Sequence, residues 1–316
     1  MRRRGFTMIE LLTASAVVVL LLSTLLPAVQ RARDDARKNL CRQHLKVLGL
    51  ALHNYHDVYM MFAPGWFTRR PEGAGHAATG WQVSILPYIG NGLKNHDWSS
   101  IESFDSELHQ SLESVHGVYE PASGDTSLLK TSISLYRCPV DAMDATNPFR
   151  GGWGTSNYSG NYGSIPVPRW AQTDFWPGQV AARTDFQRLG ANEGTQPVVP
   201  NGMFVVNRGV RIRDVTDGTS NTLLVGERGV FSQGGIWPGP RSNFHENDVV
   251  TDASQFTRLN LSVTGFSSRH PGIVNFLTAD GAAHSISDGI DSSHGTALLQ
   301  RLAARNDGNP IHSGEF

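Results

Sequence analysis

The chain has 316 residues, with 27 Lys+Arg against 28 Asp+Glu and a formal charge of −1, a balance that gives no electrostatic footprint for nucleic acid. Its two cysteines exclude a disulfide-dense scaffold, and they supply only half the ligands of a closed zinc site, with no histidine at finger-like spacing. The length suffices for an anchor followed by one large or two small core-bearing units.

Arg2, Arg3 and Arg4 precede Gly5-Phe6-Thr7-Met8-Ile9-Glu10, and residues 11–29 then run without a charge. As a helix those 19 residues extend about 28 Å, close to the thickness of a bilayer's hydrocarbon core. The arginines favour a cytoplasmic N-terminus. Glu10 is the anomaly, because a carboxylate in lipid costs on the order of 3 kcal/mol or more and calls for a cation. Cleavage between Gly5 and Phe6 would create one. The new α-amine of Phe6 lies at about the same depth and would pair with Glu10 of a neighbouring subunit.

Gly5-Phe6-Thr7-Met8-Ile9-Glu10 resembles the class III signal of type IV prepilins and type II secretion pseudopilins. The resemblance implies cutting after Gly5 by a prepilin peptidase that also methylates Phe6, with Glu10 as the assembly carboxylate. It also places Pro27 where pilin helices kink, consistent with the backbone donor that proline lacks. An ordinary secretory signal shares the basic start and apolar centre. Against it stand Glu10 and the small-residue triplet Ala14-Ser15-Ala16, which falls inside the apolar segment rather than after it. A plain uncleaved anchor is the remaining alternative. Removing the three arginines would leave 24 Lys+Arg and a formal charge of −4.

Helical character continues past a charged collar of Arg31, Arg33, Asp34, Asp35, Arg37 and Lys38. Cys41, Leu45, Leu48, Leu52 and Tyr55 recur at spacings that form one apolar face. A half-polar helix of this kind needs a sheet to lie on. The expected fold is α+β and pilin-like: a long N-terminal helix, membrane-spanning and then amphipathic, packed on an antiparallel β-sheet head with long irregular loops. The expected division is a leader at 1–5, a transmembrane and assembly helix at 6–29, its amphipathic continuation at 30–56 and an extracytoplasmic head at 57–316.

Within the head, residues 81–85, 203–206 and 222–225 read as short strands. A polar helix is expected within 96–116, with Trp98, Ile101 and Phe104 on one face. Residues 147–200, rich in Gly, Asn, Ser, Pro and Trp, read as an ordered irregular insertion. Asp280-Gly281, flanked by runs at 273–278 and 282–287, is the clearest hairpin signal. A short amphipathic helix follows at 296–304. Cys41 and Cys138 are an even pair and a candidate disulfide across about 100 residues, worth around 4 kcal/mol in the chain-entropy model. Two buried free thiols are the alternative.

His270, nine residues, then Asp280-Gly281 is similar to the C-terminal signature of the DUF1559 prepilin-like proteins. Further pieces match in order: Leu45-Lys46 with Leu52-His53-Asn54-Tyr55-His56-Asp57, Trp81 with Leu86-Pro87-Tyr88, Cys138-Pro139-Val140-Asp141, Ser156-Asn157-Tyr158-Ser159-Gly160-Asn161, and Asp217-Gly218-Thr219-Ser220-Asn221-Thr222 with Gly226-Glu227. The family usually carries larger apolar residues where Thr13, Ala14 and Ser15 stand, and a more apolar second hairpin strand than Ala282-Ala283-His284. The resemblance implies a pilin-like architecture and export, with no settled activity for the head.

A site built jointly by His270 and Asp280 is disfavoured, since the intervening strand alone spans about 20 Å. His270 is expected to hydrogen-bond a neighbouring loop and Asp280-Gly281 to make the turn. Calcium is the metal considered, on Asp280, Asp288 and Asp291, because some major pseudopilins hold a C-terminal loop that way. Asp217, Thr219, Asn221 and Glu227 form a second oxygen-rich stretch. Neither has the spacing of an EF-hand loop. His53 and His56 could share a helix face beside Asp57. Trp66, Trp81, Trp153, Trp170, Trp176 and Trp237 would line a sugar-binding surface or pin loops to the core. No nucleophile elbow, phosphate loop or His-Glu-x-x-His appears, so no catalytic residues are expected. The sequence thus reads as a structural, membrane-inserted subunit that partners with the prepilin peptidase/methyltransferase and other pilin-like subunits. The alternative is an anchored surface module binding polysaccharide, peptide or calcium.

Overall fold

The structure, a computed structural model, describes residues 8–67, 79–89, 128–165, 200–241, 246–309 and 311. The chain divides into two compact units, Met1–Leu40 and Cys41–Phe316. Helix α1 (Met8–Tyr59) supplies the described part of the first unit and the opening of the second. Its polar residues at 13–24 do not break it. The hydroxyls of Thr13, Ser15 and Ser23 donate to the carbonyls of Glu10, Leu12 and Leu20 at 3.1, 2.9 and 2.8 Å, and Thr24 donates to Leu21 at 2.9 Å. Each hydroxyl is satisfied within its own helix, as an apolar surrounding requires.

In the second unit the sequence's apolar stripe is the buried face of α1: Cys41, Leu45, Leu48, Leu52 and Tyr55, joined by Gly49 and Ala51. The strands are β1 (Trp66–Phe67), β2 (Thr79–Gly80), β3 (Thr146–Asn147), β4 (Trp153–Ser156), β5 (Tyr158–Gly163), β6 (Leu223–Glu227), β7 (Gly235–Ile236), β8 (Val250–Asp252), β9 (Ile273–Thr278) and β10 (Ala283–Ser287). Among the described residues the other α-helices are α2 (Trp81–Ile85) and α3 (Leu298–Ala303). The main sheet has five strands in the order β10-β9-β6-β5-β8. All its pairs are antiparallel except β5 with β8, so the sheet is mixed. Pairs β1-β2 and β3-β4-β7 form two small sheets.

Three expectations change. Residues 81–85 form a helix, with Trp81, Gln82, Val83 and Ile85 all buried; a short apolar run cannot distinguish a strand from a helix buried on most sides. Residues 203–206 make only isolated bridges, Trp66 with Val206 and Val205 with Arg208. The start of the 147–200 stretch is not irregular, because β5 is buried at every position and lies inside the main sheet. Gly160 allows this: a Cβ there would come within 2.6 Å of the Phe204 ring. Asn161 replaces apolar packing with hydrogen bonds, its Nδ2 donating to the carbonyls of Leu223 at 2.7 Å and Ala303 at 2.8 Å. Residues 166–199 and the helix expected within 96–116 lie outside the described residues.

Candidate functional site

The first candidate region is the N-terminal helix. Every large apolar side chain from Met8 to Val29 is exposed, from 47% at Val29 to 77% at Met8. Among the described residues this is the one helix long and apolar enough to cross a membrane. A contiguous apolar surface of that extent is rare on a soluble protein unless something covers it. Glu10 stands in the first turn of α1, and Pro27 lies inside the helix, which continues through it. Gly5 and Phe6 lie outside the described residues.

The second region is internal to the head. Cys41 of α1 and Cys138 are joined as a disulfide, with Cα atoms 5.3 Å apart. Each half is held by its surroundings. Tyr158 Oη donates to the Cys41 carbonyl at 3.3 Å, and the Cys138 amide donates to Asn157 Oδ1 at 3.0 Å. Asp141, three residues on, accepts from the Val230 amide at 2.8 Å and so fastens the Cys138 loop beside the end of β6.

Two further side chains face the sulfurs. His270 Nε2 lies 3.7 Å from Cys138 Sγ and 3.5 Å from Glu227 Oε1. Glu227 closes β6 and is held from β9: the Asn275 amide donates to Oε2 and Asn275 Nδ2 to Oε1, both at 3.0 Å. Ser285 on β10 in turn donates to Asn275 Oδ1 at 2.6 Å. Cys41, Cys138, Glu227 and His270 are 0, 7, 2 and 4% exposed. One ligand atom from each lies within 4.8 Å of the others, and among the described residues this is the one such group of three or more Cys, His, Asp or Glu. The His270 side chain thus faces the Glu227 carboxylate at the end of β6 and the Cys138 sulfur of a neighbouring loop. Glu227 comes from the end of β6 and His270 from the loop before β9, both remote in sequence from the two cysteines.

The hairpin turn sits at the far end of β9 from His270. Asp280 Oδ1 accepts from Thr278 Oγ1 at 2.6 Å and from the Ala282 amide at 3.0 Å. Burial pushes its carboxyl up, but these hydrogen bonds, with one from Ser220 and the nearby His284, together outweigh burial and hold it below its ordinary range. Asp288 accepts from Asn260 Nδ2 at 2.9 Å. Asp291 accepts from the amide and hydroxyl of Ser293 at 3.1 and 2.8 Å. Of the three carboxylates considered for calcium, Asp280 and Asp291 are engaged within their own turns and Asp288 by Asn260 of another loop, and none belongs to the four-residue group. Gly281, with φ +86°, packs against His53. His53 and His56 both pack on the ring of Phe62, with centroids 5.4 and 5.1 Å away.

Trp66, Trp81, Trp153 and Trp237 are buried. The indole nitrogens of Trp81 and Trp237 donate to the carbonyls of Val249 and Thr131 at 3.0 and 2.8 Å. These four pin loops and offer no face to a sugar. Trp170 and Trp176 lie outside the described residues.

A family model described as a protein of unknown function (DUF1559) matches residues 30–293, which include all four residues of the buried group. No curated protein and no solved structure matches the chain.

Proposed function

The chain belongs to the DUF1559 family, and we propose that it is a non-catalytic, prepilin-like structural subunit of a pilus or secretion pseudopilus. In this reading it inserts in the cytoplasmic membrane with the head outside, is cut after Gly5 and methylated on Phe6, and assembles through residues 6–29. The observation that carries the proposal is the continuous exposed apolar surface of α1 behind the Gly5-Phe6-Thr7-Met8-Ile9-Glu10 motif. Lipid covers that surface before assembly and neighbouring helices cover it afterwards. Exchange of one for the other is feasible because helix association in membranes rests on packing and polar pairing rather than on the hydrophobic effect. Glu10, paired with the Phe6 amine of a neighbour, sets the axial register.

Glu10→Val tests the assignment. The variant should still fractionate with membranes and lose its leader, yet fail to form filaments when co-expressed with the assembly machinery. Filaments of normal number and length from Glu10→Val would contradict it.

A further inference from the structure

Four donor atoms, from the α1 helix, the loop at 138, the end of β6 and the loop before β9, converge in a space closed to solvent. A disulfide needs only the two sulfurs. Glu227, a carboxylate 2% exposed, is costly to bury unless a positive charge or enough donors compensate it. Asn275 supplies neutral donors and His270 supplies the facing imidazole nitrogen. That same Nε2 faces Cys138 Sγ, so the donors share one centre rather than forming separate pairs.

We propose that Cys41, Cys138, Glu227 and His270 are a zinc site of the reduced chain, exclusive with the disulfide. Opening the disulfide consumes two electrons and two protons: a dithiol supplies both and closes to its own disulfide, whereas a phosphine supplies the electrons and becomes its oxide while water supplies the oxygen and the two protons. The two thiols then release their protons as they bind the metal. In a tetrahedral site with Zn–S near 2.3 Å and Zn–N and Zn–O near 2.0–2.2 Å, the donors stand about 3.3–3.8 Å apart. The His270 contacts at 3.5 and 3.7 Å already fall in that range. The sulfurs must part to about 3.8 Å, within reach of side chains whose Cα atoms are 5.3 Å apart.

Two thiolates, one imidazole and one carboxylate suit zinc rather than calcium or magnesium, which take oxygen ligands. With four protein donors the site is closed and structural. Zinc with two thiolates and one carboxylate carries a net charge of −1, directed at the two Asn275 donors. Asn275, held by Ser285, is the outer support that fixes the Glu227 oxygen. Zinc would thus brace the two segments that the disulfide joins, together with the end of β6 and the loop before β9, before oxidation or whenever it is reversed. The inference is independent of the assembly role of residues 6–29.

The test uses the full chain in detergent, reduced with a phosphine, with both thiols counted by titration and the fold followed by circular dichroism. Added cobalt(II) should bind one per chain with tetrahedral ligand-field bands and thiolate-to-cobalt charge-transfer absorption, and zinc should displace it. The oxidised chain should bind none. His270→Ala and Glu227→Gln should each raise the dissociation constant at least about tenfold, and Cys41→Ser with Cys138→Ser should abolish binding. If reduction alone loosens the head, zinc should restore it. Absent charge-transfer absorption with both thiols free overturns the proposal. So do affinities unchanged in both the His270 and Glu227 variants, or a loosened head that zinc fails to restore.

Discussion

Gly281 and His53 meet at the far end of β9 so closely that a Cβ on the glycine would lie 3.4 Å from the imidazole Nε2. At the other end of the strand, His270 faces the disulfide that begins at Cys41. Cys41 and His53 lie on the same helix. The His270-to-Gly281 signature is thus a strand fastened at both ends to α1 residues of the head. The two ends do different chemistry: a turn against a ring at one, a polar cluster at the other.

Gly281→Val should destabilise the head by about 1–3 kcal/mol, because φ +86° is a left-handed conformation that a β-branched residue adopts only with strain. The midpoint of urea unfolding reads the loss. An unchanged midpoint would show that the turn relaxes without cost.

The Cys41–Cys138 bond spans 97 residues, and in the chain-entropy model a loop of that length contributes about 4–5 kcal/mol. Metal-free, reduced protein should unfold at markedly lower denaturant than the oxidised form. Measuring both with a chelator present isolates the covalent contribution from any metal.

Acid should weaken the head before its carboxylates titrate. Burial depresses His44 below its ordinary value near 6.5, partly offset by the hydrogen bond to the Arg137 carbonyl at 3.0 Å. Burial also depresses His53, helped by His56 and opposed by Asp57 and Asp280. Both rings stay neutral in the fold where the unfolded chain would protonate them. Stability from this source is therefore full above about pH 6.5 and declines as pH falls from there toward the lowered folded values. His44→Gln and His53→Gln should each flatten that decline in denaturation midpoints compared between about pH 7.5 and 5.5.

Asn161→Ala should cost about 2–3 kcal/mol, since it removes the donor that serves the Leu223 and Ala303 carbonyls and leaves both buried acceptors short of a partner. The same replacement at exposed Asn306 should change stability by less than about 0.5 kcal/mol.

The helix stripe and the hairpin were legible because each is a local apolar period: Cys41 to Tyr55 at helical spacing, and 273–278 with 282–287 around a turn dipeptide. The hairpin's strands begin and end within a residue of those runs. β5 was illegible because Tyr158-Ser159-Gly160-Asn161-Tyr162-Gly163 carries no apolar alternation. Its burial rests on Gly160 against Phe204 and on the bonds of Asn161, partners that lie far along the chain. The buried group was half visible. Cys41, Cys138 and His270 each stand out in the sequence, whereas Glu227 enters only as the end of a family-matching piece and as one oxygen in a possible calcium stretch. Nothing local ties Glu227 to a histidine 43 positions later; β6 pairing with β9 does so.

The central claim is processing and assembly through the N-terminal helix, and the intact mass and N-terminus of the chain recovered from membrane and surface fractions test it most directly. The account predicts a chain that begins at N-methylated Phe6. A chain that retains residues 1–5, or one cut beyond Val29, would contradict it and remove the role assigned to Glu10.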